Sequence, residues 1–261
     1  MDEILSGGVA NAGAVIRKGD FVLRPSNPNS EAVHAFLRGL RSAGFEGASL
    51  PVDIQADGRE RLLFIEGDVA VPPFPAWVQN DHALYSITVL IRSFHEASSR
   101  LPVIPAMWSD ELADPCGGTM ICHNDVCPEN IVFRDGEAVA LLDFDFAAPG
   151  RPLFDLAAFA RMCVPIDDEV NASRLGFRDL DLPARLRLIA DTYGLGAEDR
   201  HALIELLDRP MESGGSFVQR RVEVGDPNFI RMFDEMGGME RYERRLRWWE
   251  ASRETFVRAL R

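Results

Sequence analysis

Between residues 121 and 146 two short apolar runs, Asn130-Ile131-Val132-Phe133 and Val139-Ala140-Leu141-Leu142, stand on either side of Arg134-Asp135-Gly136-Glu137. An Asp-Gly pair between apolar runs closes an antiparallel hairpin, because glycine accepts the positive φ that a tight turn demands. Both outer ends of this hairpin are polar. Cys122-His123-Asn124-Asp125-Val126-Cys127-Pro128-Glu129-Asn130 leads in, and Leu142-Asp143-Phe144-Asp145-Phe146 leads out. Folding the hairpin therefore brings Asn130 near Asp143 and leaves Asp125 on the loop before them. Carboxylates gathered at the end of apolar strands are costly unless a cation or hydrogen-bond donors compensate them. Mg²⁺ takes one or two protein carboxylates and completes its octahedron with water and substrate phosphate, which suits Asp143 with Asn130. Asp125 is placed to orient a hydroxyl and accept its proton as phosphate arrives.

The segments around this hairpin divide into two kinds. Near the N-terminus, Ala14-Val15-Ile16-Arg17 and Phe21-Val22-Leu23-Arg24 flank Lys18-Gly19-Asp20, and Leu50–Gln55 and Arg61–Ile65 flank Asp57-Gly58, so two further hairpins are expected. Between them Val33, Phe36, Leu37 and Leu40 recur at helical spacing after Ser30, a candidate cap, and stop at Gly44. Beyond Pro72-Pro73-Phe74-Pro75 the helical period dominates: Leu84, Ile87, Ile91 and Phe94 share one face, and further helices are expected at about 154–163, 181–193, 197–208 and 239–260. The expected fold class is α+β, with a small, mostly antiparallel sheet lobe over 1–70 and a larger, mainly helical lobe over 71–261. Tyr242, Trp248, Trp249 and Phe256 are expected to pack within the larger lobe rather than to line a ligand site.

Composition narrows the function classes. With 261 residues and 46% hydrophobic content the chain is long enough for one domain or two lobes and too apolar for disorder. It has no apolar stretch approaching the ~20 residues of a membrane span, and it begins with an acidic Met1-Asp2-Glu3 where a signal peptide would be basic. A cytoplasmic protein without a membrane partner is expected, and Cys116, Cys122, Cys127 and Cys163 as reduced thiols. The balance of 28 Lys plus Arg against 41 Asp plus Glu, a net charge of −13, argues against nucleic acid and leaves cationic or neutral small molecules open. Cys122, His123 and Cys127 match no common zinc spacing and lack a fourth ligand.

His123-x-Asp125-x-x-x-x-Asn130 followed by Asp143 resembles the catalytic loop and metal aspartate of the aminoglycoside phosphotransferase and choline kinase family, relatives of the protein kinases. Asp155-Leu156-Ala157 and the N-terminal glycine-containing hairpin extend the resemblance over nearly the whole chain. It implies a protein-kinase-like two-lobed fold with a nucleotide between the lobes and a hinge at about 62–70, where Phe64, Ile65 and Glu66 meet the purine. It also implies that Gly7, Gly8 and Asn11 cover the phosphates, that Asp125 is the catalytic base, and that Asn130 and Asp143 hold Mg²⁺. Arg24 stands where the family has a lysine; Lys18, the only lysine, lies in the preceding turn. The glutamate that usually partners that lysine is missing from the helix, where Val33 and His34 occupy its positions. The function expected is Mg²⁺-dependent transfer of the γ-phosphate of ATP or GTP to a hydroxyl of an aminoglycoside, amino-alcohol or similar metabolite by a small-molecule kinase, monomeric or homodimeric. Asp167-Asp168-Glu169 and Asp234-Glu235 either attract a cationic acceptor or are solvated helix ends. The alternative, motivated by Arg24 and the missing glutamate, is a non-catalytic kinase-like module that binds nucleotide or another ligand.

Overall fold

The structure, a computed structural model, describes residues 3–5, 14–207 and 209–261, with the side chains of 209–214 left aside. Gly7, Gly8 and Asn11 lie outside the described residues. The smaller lobe is a five-stranded antiparallel sheet of β1 (Glu3–Ile4), β2 (Ile16–Lys18), β3 (Phe21–Pro25), β4 (Pro51–Ile54) and β5 (Arg59–Leu63), in the order β1-β2-β3-β5-β4. Both expected hairpins are present, and Gly58 turns β4 into β5 at φ +81°. β3 and β5 pair so that Arg24 faces Glu60 across the ladder.

Helix α1 (Ser30–Ser42) crosses this sheet and buries Val33, Phe36, Leu37 and Leu40, as its period requires. The cap position is Asn29 rather than Ser30, and no side chain caps the helix. The Ser30 hydroxyl accepts instead from the Asn27 N–H at 2.8 Å, while the Asn29 amide reaches the Asp145 carbonyl at 2.7 Å. Phe36 carries the apolar face across to the larger lobe, meeting Phe94, Trp108 and Phe144 edge-on at centroid distances of 6.2, 6.1 and 6.4 Å. The two lobes thus share one hydrophobic core.

The larger lobe starts with β6 (Asp68–Val69), α2 (Ala76–Gln79) and α3 (Asp81–Ser98), whose Leu84, Ile87, Ile91 and Phe94 are buried. Two small antiparallel sheets follow: β7 (Met120–Cys122) pairs with β10 (Ala148–Gly150), and β8 (Ile131–Arg134) lies between β6 and β9 (Glu137–Leu141). The remaining helices are α4 (Pro152–Cys163), α5 (Glu169–Arg174), α6 (Leu182–Tyr193), α7 (Ala197–Leu206), α8 (Arg209–Glu223), α9 (Pro227–Glu235) and α10 (Gly238–Leu260). Trp249 and Phe256 are 1% and 2% exposed and pack on each other, the core role expected of them. Periodicity did not reveal α5, α8 or α9. Gly214-Gly215 reads as a helix breaker, yet a Cβ at Gly215 would come within 2.8 Å of the Tyr242 ring, so a close approach of α8 to α10 requires the small residue. No helix among the described residues is long and apolar enough to cross a membrane.

Candidate functional site

The site is built on the β8–β9 hairpin, the loop that precedes it and the turn that follows it. Asn124 at φ +65°, before the hairpin, and Asp143 at φ +59°, after it, have left-handed backbone, which Asn and Asp tolerate better than other non-glycine residues. Asp155, fully buried in α4, fixes the loop: its carboxylate accepts the backbone N–H of His123 at 2.7 Å and of Asn124 at 2.8 Å. Burial alone would raise its pKa, but bonding to His95 and to the loop holds it below the ordinary carboxylate value. Asp155 therefore braces the loop; it does not cap α4, whose cap position is Arg151. His123 is a scaffold residue. Its Nδ1 accepts from the Asp125 N–H at 3.3 Å, which leaves Nε2 to donate to the Leu142 carbonyl at 2.8 Å. Burial lowers its pKa, so the ring is neutral.

Asp125 is half-buried beside Asn130, whose amide donates to the Asp125 carbonyl at 2.9 Å and to its Oδ2 at 3.0 Å. Burial, followed by the charge of Asp143, pushes the Asp125 carboxyl up to about 8, against the pull of the Asn130 bond. Asp125, Asn130 and Asp143 thus converge on one neighbourhood, and Arg24 reaches it from β3. Arg24 donates from Nη1 to Asp143 Oδ1 at 2.8 Å, from Nη2 to Asp145 and from Nε to Glu60. Only 12% of the arginine side chain and 1% of the glutamate side chain are exposed. Glu60 also bonds His34 Nε2 at 2.7 Å. The partner that α1 lacks comes from the adjacent strand, and α1 supplies the histidine that backs it.

Burial opposes the charge on Arg24, but the three carboxylates outweigh it and raise its pKa. Burial and Asp143 push Asp145 up to about 6, even with Arg24 in contact. The guanidinium engages Asp143 Oδ1 and Asp145, and among the described residues no three His, Cys, Asp or Glu side chains are grouped to hold a metal ion. Mg²⁺ at Asn130 and Asp143, if bound, would compete with Arg24 for Asp143. Glu60 and Asn29 are the site residues that sequence reasoning passed over.

At the expected hinge, Arg17 lies over the Phe64 ring at 3.7 Å and pairs with Glu66 at 3.0 Å. The Phe64 N–H is bonded to the Asp20 carbonyl, and the Glu66 carbonyl accepts from Arg134. Ile65 lies between them, and Lys18 is at the exposed end of β2. Of the acidic cluster at 167–169, Asp167 and Asp168 are buried and paired, Arg245 binding Asp167 at 2.7 Å and Arg244 binding Asp168 at 3.0 Å, while Glu169 is exposed at the start of α5. Asp168 also caps α5 through the N–H groups of Val170 and Asn171. A shallow, open depression of about 540 Å³ between α3 and α6, lined by His82, Tyr85, Arg187 and Leu188, contains none of these residues.

The phosphotransferase enzyme family profile matches residues 74–189. A trifolitoxin immunity protein of Rhizobium leguminosarum bv. trifolii is 34% identical over 213 residues, 79% of this chain and 79% of the relative. Among solved structures, a choline/ethanolamine kinase family protein from Mesorhizobium loti superposes with a TM-score of 0.62 at 18% identity, covering 98% of this chain and 91% of that one. The GDP complex of aminoglycoside 2'-phosphotransferase-IIIa gives 0.58 at 15% identity, covering 93% and 91%. At such identities these structures speak for the fold. The expectation of a small-molecule kinase moving phosphate from ATP or GTP is corrected here. The relative with substantial sequence identity is named for immunity, not for transfer, and the cleft carboxylates that would serve a metal are engaged by the chain's own arginine. By sequence the chain belongs with the trifolitoxin immunity protein, its residues 74–189 carry the phosphotransferase enzyme family domain, and its fold is that of the choline/ethanolamine kinase family and aminoglycoside phosphotransferase structures.

Proposed function

We propose that this chain is a non-catalytic, kinase-like binding module with an immunity-type role, which holds a toxic small molecule or peptide in the cleft between its lobes without transferring phosphate to it. The observation that carries this proposal is the fork of Arg24 on Asp143, Asp145 and Glu60. Phosphoryl transfer in this superfamily depends on divalent cations that bridge the nucleotide phosphates and neutralise developing charge. In this cleft the neutralising charge is a side chain. A guanidinium can grip phosphate, but it does not offer the open coordination positions of a metal ion. The family resemblance makes a nucleotide one candidate occupant of the cleft, near Phe64, Ile65 and Glu66, and the division at about residue 70 is part of the same proposal. The immunity role rests on the 34% identical relative.

The test is expression in a trifolitoxin-sensitive bacterium, comparing the parent chain with Asp125→Asn and following phosphate transfer from labelled ATP and GTP to toxin and aminoglycosides. Equal protection by both chains with no label transferred is the expected result. Protection that disappears with Asp125 and is accompanied by label on the toxin would overturn the proposal.

A further inference from the structure

Arg17 stands on the cleft side of the smaller sheet. It pairs with Val22 between β2 and β3, and Val22 is two residues from Arg24 on the same strand, so both arginines project from one face. In the next ladder Leu62 faces Val22 and Glu60 faces Arg24. The same alternation, carried one step past β5, sets Phe64 on that face too. Arg24 reaches Asp143 of the larger lobe from this face, which therefore roofs the cleft.

Three contacts hold the Arg17 guanidinium against the roof. Its centre lies 3.7 Å from the centroid of the Phe64 ring, Nη2 donates to Glu66 Oε2 at 3.0 Å, and Nε donates to the Gly19 carbonyl at 3.2 Å. A guanidinium is planar and stacks on an aromatic face as another flat ring does. At 3.7 Å nothing else fits between the two groups, so one face of Phe64 is taken. From the other lobe, Arg134 of β8 donates to the Glu66 carbonyl at 2.9 Å, so arginines of both lobes grip the same residue. The Arg17 latch is nevertheless a weak one. Its side chain is 31% exposed and that of Glu66 is 73% exposed, where water and salt leave an ion pair little strength.

We infer that Arg17 is an autoinhibitory cover: its guanidinium occupies the ring face of Phe64 on which a flat guest such as a purine base would stack, and so holds that part of the cleft shut until the Glu66 latch opens. This rests on the reading of the cleft as a binding site, but nucleoside binding and toxin protection are separate measurements that can fail separately.

The experiment is calorimetric titration of the full chain, of Arg17→Ala and of Glu66→Gln with adenosine and with guanosine. These probes carry no phosphate, so they read the ring face apart from any change in attraction between charges. R17A should bind one of them about five- to thirty-fold more tightly than the parent, a range set by one cation–π contact and one exposed ion pair. E66Q keeps the arginine but unlatches it and should show a smaller gain in the same direction; it takes the measurement alone if R17A does not fold. A merely structural Arg17 would lower the melting temperature without raising affinity. Two results would overturn the inference: variants that bind neither nucleoside more tightly than the parent does, or a parent that already binds one as tightly as R17A. A gain confined to R17A would overturn the part assigned to Glu66.

Discussion

The cleft and the junction between α5 and α10 both set acidic side chains against arginines, in opposite proportions. In the cleft one arginine serves Glu60, Asp143 and Asp145. At the junction Arg241, Arg244 and Arg245 serve Asn171, Asp168 and Asp167, each donating from Nε. The consequences for protonation are also opposite. Negative excess and burial push Asp145 up to about 6, whereas burial and the neighbouring Arg245 pull Arg241 down to about 10. The junction spreads its charge over several pairs, so the loss of one partner leaves others in place. The cleft concentrates its compensation in one side chain, and only Glu60 has a second partner, His34.

The largest expected effect follows from that difference. Arg24→Met should cost about 3–5 kcal/mol in urea unfolding, because breaking a buried ion pair leaves charge without compensation. A loss below about 1 kcal/mol would mean that water already screens the cleft. Asp155→Asn tests a buried carboxylate with no arginine at all. Weakening its bonds to His123, Asn124 and His95 should cost about 2–3 kcal/mol and speed hydrogen exchange at the two loop amides. Asp125 adds a pH dependence confined to the cleft. Its folded pKa of about 8 exceeds the ordinary 3.8, so it favours folding at low pH and that contribution is lost as pH rises between the two values. The stability of Asp125→Asn relative to the parent should therefore climb from about pH 4 and level off near pH 8, by up to about 1.4 kcal/mol per pH unit. A flat difference would mean that Asp125 is ionised throughout. Arg245→Met is the smallest perturbation, about 1 kcal/mol, since Arg244 and Arg241 still serve the junction; a cost matching that of Arg24→Met would dissolve the contrast between the two regions.

Much of this architecture was legible because it is written in local signals. Asp57-Gly58 and Asp135-Gly136 mark hairpins by turn chemistry, and the spacing of Val33 to Leu40 and of Leu84 to Phe94 marks helix faces. The convergence of Asp125, Asn130 and Asp143 was legible for the same reason, since one hairpin sets their separation. Arg24 was expected at the phosphates, but its three carboxylate partners could not be read, because long-range register decides which strand residue faces it. Glu60 did leave a trace. In Arg59-Glu60-Arg61-Leu62-Leu63 it shares the buried face with Leu62, and a carboxylate on the apolar side of a strand calls for a partner. The family resemblance places the acidic partner of Arg24 on α1, where Val33 and His34 stand instead. The acidic cluster at 167–169 misled for a related reason, as the arginines that cover it lie more than 70 residues downstream.

Phe36 stands among Phe94, Trp108 and Phe144. A domain that gapes to admit a guest would strip Phe36 of all three neighbours, a substantial loss of buried apolar contact. The packing at Phe36 therefore opposes a hinged opening of the two lobes, and the guest of the proposed module is expected to enter without one.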